Sequence, residues 1–200
     1  MGIGLEERII QHLYLVSVAC LATTFFGILL GVITYLSKFM RPIILWIVDI
    51  LQTIPVLALL GLVMVFFGPT STTVIIGIVL YSLLPVVRNC FVGLENINPA
   101  IKEAAKGMGM TQLQSLIKVE LPLALPIIFA GIRIAVVTSI GIAVFGAVVG
   151  GGGLGFTISR AILIQDMSTL MTATLSLMAM AIVFDLGMGF IEKKLKSRNI

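Results

Sequence analysis

Three charged side chains, Asp49, Arg133 and Asp185, stand inside long apolar stretches of this sequence. A charge in such surroundings is costly, so it usually faces other protein groups or a water-filled path. The opposite signs allow Arg133 to form an ion pair with Asp49 or Asp185. Three roles for this polar network remain open: a static pair that fixes helix packing, a pair that opens and closes, and contact with a solute.

The sequence offers no residues for bond-making chemistry. Cys20 and Cys90 lie in apolar segments and indicate neither a disulfide framework nor a structural zinc site. The sequence has no G-x-x-x-x-G-K-[ST] segment, the glycine-rich loop that cradles ATP phosphates. We therefore expect no catalytic residue, no metal site and no cofactor bound by this chain.

The composition indicates an integral membrane protein. Of the 200 residues, 59% are hydrophobic and 11% are charged, and the mean hydropathy is +1.18. A soluble domain is about 45–50% apolar and about 25% charged, because its surface must interact with water. The composition excludes soluble, disordered and nucleic-acid-binding classes and predicts an all-α fold, since helices satisfy their own backbone groups in lipid.

Five stretches approach or exceed the roughly 20 apolar residues that a helix needs to cross a bilayer. They cover residues 13–36, 42–67, 74–92, 123–149 and 167–190. The charged segment 95–122 lies between the third and fourth stretches and belongs in water or at the membrane surface. Without an internal repeat, residues 1–200 are predicted to form a single transmembrane domain of five helices.

The basic residues predict the orientation, because cytoplasmic loops carry an excess of lysine and arginine. If the C-terminus is cytoplasmic, Arg8 and Arg160 are the basic residues left outside. Those on the inner side are then Lys38, Arg41, Arg88, Lys102, Lys106, Lys118, Lys193, Lys194, Lys196 and Arg198. We therefore predict a multi-pass protein with its N-terminus outside and with segment 95–122 in the cytoplasm.

Segment 95–122 is predicted to form a helix, a turn and a second helix. Asn98-Pro99 is a typical helix start, and the glycines up to Gly109 end that helix. Thr111, with a glutamine three residues later, fits a capping box that starts the second helix, and Leu121-Pro122 is expected to end it. The periodicity alone fits an amphipathic helix on the membrane equally well.

The residues of this segment carry a resemblance to a known family. Glu103-Ala104-Ala105, Gly109 and Leu121-Pro122 form the pattern E-A-A-x3-G-x9-V-x-L-P. It resembles the EAA coupling loop of permease subunits of type I ATP-binding-cassette importers, although the family prefers isoleucine at the position of Val119. The resemblance implies that Glu103, Ala104, Ala105 and Gly109 dock on an ATPase subunit, and that Leu121 and Pro122 close the cytoplasmic loop between transmembrane helices 3 and 4.

Other segments look like the permeases of osmoprotectant importers. They are residues 49–55, 80–85, 103–109, 120–126, 131–133 and 151–155. The resemblance implies a permease of the bacterial inner membrane for glycine betaine, carnitine or choline. It also implies partners: two ATPase subunits that hold ATP and Mg, a second permease subunit, identical or paralogous, an extracytoplasmic substrate-binding protein and the lipid bilayer, but no nucleic acid.

A glycine-rich segment follows the fourth predicted span. Gly151, Gly152, Gly153 and Gly155 are compatible with a tightly packed or flexible outer turn. The alternative is an outer gate or a contact with the binding protein.

Alternatives to the importer function also remain at this stage. They are a carrier or channel subunit driven by an ion gradient, a structural membrane subunit that anchors an enzyme, and an importer permease for another small polar solute such as an amino acid. The aromatic residues Tyr14, Tyr35, Trp46 and Tyr81 are expected to form an interfacial belt rather than a cage for a quaternary ammonium group.

Overall fold

The computed structural model describes residues 4–198, which contain helices and no strand. The helices are α1 (Leu5–Leu36), α2 (Met40–Thr53), α3 (Val56–Phe67), α4 (Ser71–Glu95), α5 (Pro99–Gly107), α6 (Gln112–Ser115), α7 (Leu121–Phe145), α8 (Gly153–Leu163) and α9 (Met167–Arg198). A π turn (Leu116–Glu120) joins α6 to α7, and a 3-10 turn (Gly146–Val149) follows α7.

The predicted all-helical membrane fold is confirmed. Within residues 4–198, four helices are long and apolar enough to cross a membrane: α1, α4, the continuous helix Gln112–Val149 and α9. The chain bends by 104° between α2 and α3. If this bent pair counts as one span, the number of spans in the described residues is five.

The second expected span, 42–67, is therefore bent rather than straight. Proline drives the residue before it out of the helical region of backbone space. Accordingly, Ile54 has ψ 127° and Pro55 has ψ 133°, and α3 begins directly after them.

Helix α4 packs along both α1 and α7, and these three helices form the centre of the bundle. Glycines allow α1 to approach α4 closely. A methyl group on Gly27 would lie 2.6 Å from Val86 Cγ1, and one on Gly31 would lie 2.5 Å from Cys90 Cβ. Both contacts are shorter than carbon atoms tolerate, so the packing of α1 on α4 depends on these two glycines.

A proline inside α4 is compensated by a side chain of α2. Pro85 has no N–H group, so the carbonyl of Tyr81, four residues earlier, has no helical donor. Gln52 Nε2 donates a hydrogen bond of 2.9 Å to that carbonyl. The hydrogen bond satisfies the free acceptor and ties α2 to α4.

The bundle has two ends, which we call the loop end and the glycine end. At the loop end, Leu116 packs with Cys90, Leu94 and Ile128 in a buried apolar cluster, which joins the loop to the membrane-spanning helices. The glycine end holds residues 150–155 and α8. Eleven residues are too few to span a bilayer, and the sequence had not indicated α8 as a helix.

Candidate functional site

The segment that joins α4 to α7 has the local structure that its sequence predicts. The side chain of Asn98 accepts a hydrogen bond of 3.0 Å from the N–H of Ala100 and so caps α5. Thr111 and Gln114 exchange the two hydrogen bonds of a capping box at the start of α6. Between the helices, Gly109 has φ +80°, a backbone conformation that other residues rarely adopt. These contacts fix a defined helix–turn–helix, which we call the coupling loop (residues 95–122).

One side of α5 is open to the surroundings. Glu103, Ala104 and Gly109 are exposed, as is Met108, at 70%. We call these four residues the coupling surface. Ala105 is 1% exposed and faces the bundle, so its small size serves the packing beneath α5. Further exposed apolar side chains on the loop are Ile101, Leu113 and Ile117.

The first helix of the coupling loop is attached to the ends of two spans. Lys102 Nζ donates a hydrogen bond of 3.0 Å to the carbonyl oxygen of Leu94, near the end of α4. The same ammonium group lies 4.9 Å from the ring centre of Tyr35, in the last turn of α1. A cation above an aromatic face is attracted to it. Both contacts tie α5 to the loop end of the bundle.

The second helix is attached through a buried carboxylate, Glu120, which was not among the candidate residues predicted from the sequence. Glu120 is 5% exposed. Its carboxylate accepts hydrogen bonds from the hydroxyl of Tyr35 at 2.5 Å and from Ser115 Oγ at 2.8 Å. Tyr35 therefore contacts both helices of the loop, and its place in an interfacial belt stays a prediction. The feature of the sequence that could have indicated this burial is the position of Glu120 beside Leu121-Pro122, between two apolar runs.

Leu121 and Pro122 do not end the second helix, contrary to the prediction. The chain continues through the π turn into α7, and the N–H of Leu121 bonds to the carbonyl of Leu116, five residues earlier. In an α-helix, a proline ring clashes with the carbonyl four residues earlier. The wider, five-residue spacing of the π turn accommodates Pro122. The LP pair thus marks the junction of the loop with α7.

The structure separates the three intramembrane charges into two groups. Of the two partners considered for Arg133, Asp185 is the one it binds, at 2.8 Å, and Arg133 also binds Glu192 at 3.0 Å. Asp49 instead pairs with Arg88 at 2.8 Å, so its assignment to the same network is wrong. No pattern in the sequence indicates Glu192 as a partner of Arg133; the folding of α9 against α7 brings the two together.

A cavity of about 460 Å³ lies beside the Arg133 group. Its lining includes Ile134, Thr138 and Asp185. The donors of Arg133 are directed at the two carboxylates, which favours a packing ion pair. Opening and closing of the pair and contact with a solute stay predictions. Within residues 4–198, no cluster of three His, Cys, Asp or Glu side chains could hold a metal ion.

The glycine-rich segment is packed against α1 and α7. Gly151, Gly153 and Gly155 are buried and Gly152 is half-buried. The N–H of Gly153 donates a hydrogen bond of 2.8 Å to Gln11 Oε1, and a methyl group on Gly155 would overlap the carbonyl of Val144. This geometry favours the packed-turn interpretation. A role in an outer gate or in binding-protein contact stays a prediction.

Comparison with known proteins identifies the family. Residues 23–197 match the family of binding-protein-dependent transport system inner membrane components. The chain belongs to this family. The family favours an importer that works with a binding protein over a carrier or channel driven by an ion gradient, and it agrees with a multi-pass protein of the inner membrane.

The chain also matches transport permease proteins over most of their length. The chain is 40% identical over 180 residues to the osmoprotectant import permease protein OsmW of Salmonella typhimurium, covering 88% of this chain and 84% of that protein. It is 37% identical over 195 residues to the carnitine transport permease protein OpuCD of Listeria monocytogenes, covering 97% and 87%.

A solved structure shows the same fold. The MetNI methionine transporter of the ATP-binding-cassette class, in an inward-facing conformation, contains a chain that superposes with a TM-score of 0.87. The match covers 96% of this chain and 95% of that chain at 23% sequence identity. The fold of this binding-protein-dependent inner membrane component is therefore that of the matched transporter chain.

Proposed function

We propose that this chain is the permease subunit of an ATP-driven importer of quaternary-ammonium osmoprotectants of the glycine betaine, carnitine and choline class. The names of the relatives with 37–40% identity support this substrate class. The chain itself performs no bond chemistry. It forms half of a translocation path and transmits the movement of a partner ATPase.

The coupling surface is the observation that carries this proposal. It presents an exposed carboxylate, a small residue and a flexible apolar side chain, at Glu103, Ala104 and Met108, on the side of α5 that faces away from the bundle. Methionine adapts its shape to a partner surface, and alanine permits close approach. A groove on an ATPase subunit would cover these residues, with Gly109 forming the turn that presents them.

The attachment of the loop supports force transmission. Lys102 and Glu120 connect the two loop helices to α1 and α4, and the π turn connects them directly to α7. A movement of the coupling surface would therefore displace the three central helices rather than bend a loose linker. The two conformations of the path, open inward and open outward, would differ in the positions of these helices.

The remaining partners follow from what one chain lacks. The four or five spans of the described part of the chain are few for an enclosed path. We therefore infer a second permease subunit, identical or paralogous, with the path between the two. Two ATPase subunits, which hold ATP and Mg, would dock on the two coupling loops. The loop end would face the cytoplasm, and the N-terminus and the glycine end would face outward.

High-affinity recognition would belong to an extracytoplasmic binding protein. A quaternary ammonium group has no donor protons and is best held by aromatic faces. In this chain Tyr14 and Trp46 are 58% and 66% exposed, and Tyr35 is engaged with Glu120. Among the described residues, we find no aromatic cage that could hold such a group.

Reconstitution of the complete complex tests the proposal. Proteoliposomes that contain this permease, its ATPase and its second permease subunit would be supplied with loaded binding protein outside and ATP inside. We expect uptake of labelled glycine betaine that depends on ATP and is reduced by unlabelled carnitine or choline, but not by methionine. Uptake that needs an ion gradient and no ATPase would contradict the proposal.

A further inference from the structure

We propose that Tyr35, Ser115 and Glu120 together transmit the movement of the coupling loop to α1. We call these three residues the Glu120 cluster. This proposal rests on the proposed docking of an ATPase on the coupling loop, and it adds positioning residues that lie outside the docking surface itself.

Two hydroxyl groups on different elements converge on the Glu120 side chain. The Tyr35 hydroxyl lies 2.5 Å from Glu120 Oε2 and Ser115 Oγ lies 2.8 Å from Glu120 Oε1. Both hydroxyl groups can donate a hydrogen bond to a carboxylate oxygen. Because Glu120 is 5% exposed, water cannot readily replace a lost hydroxyl.

The π turn places Ser115 and Glu120 on the same side of the helix. They are five residues apart, which is about one turn of a π-helix but well over one turn of an α-helix. Relaxation of the π turn to an α turn would rotate α6 relative to α7 and separate Ser115 from Glu120. The cluster therefore fixes the orientation of the coupling loop relative to α7.

Tyr35 extends this connection to α1. It lies one residue before the end of this 32-residue helix, and its ring also contacts Lys102 of α5. At the other end of α1, Gln11 binds the N–H of Gly153, and His12 Nε2 lies 3.1 Å from the carbonyl oxygen of Ile140. An α-helix rises about 1.5 Å per residue, so α1 links contacts about 35 Å apart. A displacement of Tyr35 would reach the glycine end through α1.

The test uses the complete complex in proteoliposomes and measures uptake of labelled glycine betaine per ATP hydrolysed. Tyr35→Phe removes one hydroxyl and keeps the ring beneath Lys102, so it is the variant least able to disturb folding. Glu120→Ala removes the acceptor, whereas Glu120→Gln can still accept from one hydroxyl and donate to the other. Tyr14→Phe makes the same change at the exposed outer part of α1 and is the matched control.

We expect Tyr35→Phe and Glu120→Ala to retain the ATPase subunit on purification and to retain basal hydrolysis. Uptake per ATP should fall by about two- to thirtyfold, the range of coupling changes that single substitutions cause. Glu120→Gln should recover most of the loss, and Tyr14→Phe should match the wild-type protein. The double variant Tyr35→Phe/Glu120→Ala should be no worse than Glu120→Ala, because both changes interrupt one connection.

Three results would overturn this proposal: unchanged uptake per ATP in Tyr35→Phe and Glu120→Ala, loss of the ATPase subunit from either, or a Glu120→Gln variant as impaired as Glu120→Ala. Loss of the ATPase would assign the cluster to docking instead. Failure of the proposed function would be visible in the wild-type complex, as uptake independent of ATP or no uptake at all. The two failures are therefore distinguishable.

Discussion

Arg133 of α7 and Asp185 of α9 form an ion pair of 2.8 Å, although 52 residues separate them in the sequence. Glu192, two turns further along α9, binds the same guanidinium group at 3.0 Å. The side chain of Asp185 is 43% exposed and that of Glu192 is 13% exposed. Of the four single-helix spans, α9 is the one least covered by the rest of the bundle, and this group is one of the contacts that hold it on α7.

Disruption of the Arg133 group should loosen α9. We expect Arg133→Ala to lower the free energy of unfolding, but by less than the loss of a fully buried pair would, because the side chains are partly exposed. Thermal unfolding of the protein in detergent measures this effect. In a double-mutant cycle with Asp185→Asn, the two losses should not add.

Asp49 provides the control for that cycle. It pairs with Arg88 on another part of the bundle, and residues without shared partners usually contribute independently. The losses from Asp49→Asn and Arg133→Ala should therefore add within about 0.5 kcal/mol. A strong coupling between these two positions would show that the two ion pairs form one network after all.

The backbone of Gly109 should be required for coupling. Its φ of +80° is strained for a residue with a side chain, whereas Gly107 lies in α5 with an ordinary φ. Neither glycine has an atom within 4 Å of an added methyl group, so the comparison isolates the backbone. We expect Gly109→Ala to cost about 1 kcal/mol and to reduce ATP-driven uptake, and Gly107→Ala to leave uptake unchanged. Equal effects of both substitutions would show that the turn conformation is unimportant.

The glycine end should be intolerant of side chains where it is packed. A methyl group on Gly155 would overlap the backbone of Val144, while one on Gly141 in α7 would meet no atom within 4 Å. We expect Gly155→Ala to lower the free energy of unfolding by about 1–3 kcal/mol through overpacking. Gly141→Ala should leave it unchanged or raise it, because alanine favours helix formation. Thermal unfolding of both variants gives the comparison.

The start of α9 should be sensitive to acid. The hydroxyl and the N–H of Thr169 donate to the carboxylate of Asp166, and these bonds lower the pKa of Asp166. A lowered pKa in the folded state means that the stabilisation is present at neutral pH and is lost as the pH falls through that pKa. The Asp166→Asn variant keeps a side-chain oxygen that can cap α9, but its amide group does not titrate.

The stability difference between the wild-type protein and Asp166→Asn should therefore change in acid. We expect the wild-type protein to lose stability relative to the variant as the pH falls below about 4, the usual range for an aspartate. Melting temperatures measured across this range provide the test. A constant difference would show that the Thr169 bonds contribute nothing to stability.

Features that depend on neighbouring residues were predictable from the sequence. The caps at Asn98 and Thr111 form within three residues of the chain, and apolar runs show helices of membrane-spanning length. The glycine turn at Gly109 and the E-A-A pattern likewise lie within one short segment. The family and the coupling loop could therefore be inferred before the structure was known.

Features that depend on distant residues were not predictable. Glu120 and Glu192 resemble ordinary polar residues of a loop and a tail. The burial of Glu120 follows from its contact with α1, and that of Glu192 from its contact with α7. Arg133 pairs with Asp185 rather than with Asp49 because α7 lies beside α9, and this arrangement of helices is not visible in the sequence. Ala104 and Ala105 are adjacent and alike, yet one is exposed and the other is buried, because α5 turns by about 100° per residue.

The central claim is that the coupling surface receives a partner ATPase. Ala104→Arg places a long charged side chain on this surface without entering the bundle, because Ala104 is exposed. Ser197→Arg makes a comparable change at the exposed end of α9, outside the coupling loop. The most direct measurement is the amount of ATPase subunit that co-purifies with each variant.

We predict that Ala104→Arg loses the ATPase subunit and ATP-driven uptake, while its melting temperature matches that of the wild-type permease. The control variant Ser197→Arg should retain the ATPase subunit and the uptake. Retention of the ATPase at wild-type levels by Ala104→Arg, with unchanged uptake, would contradict the account.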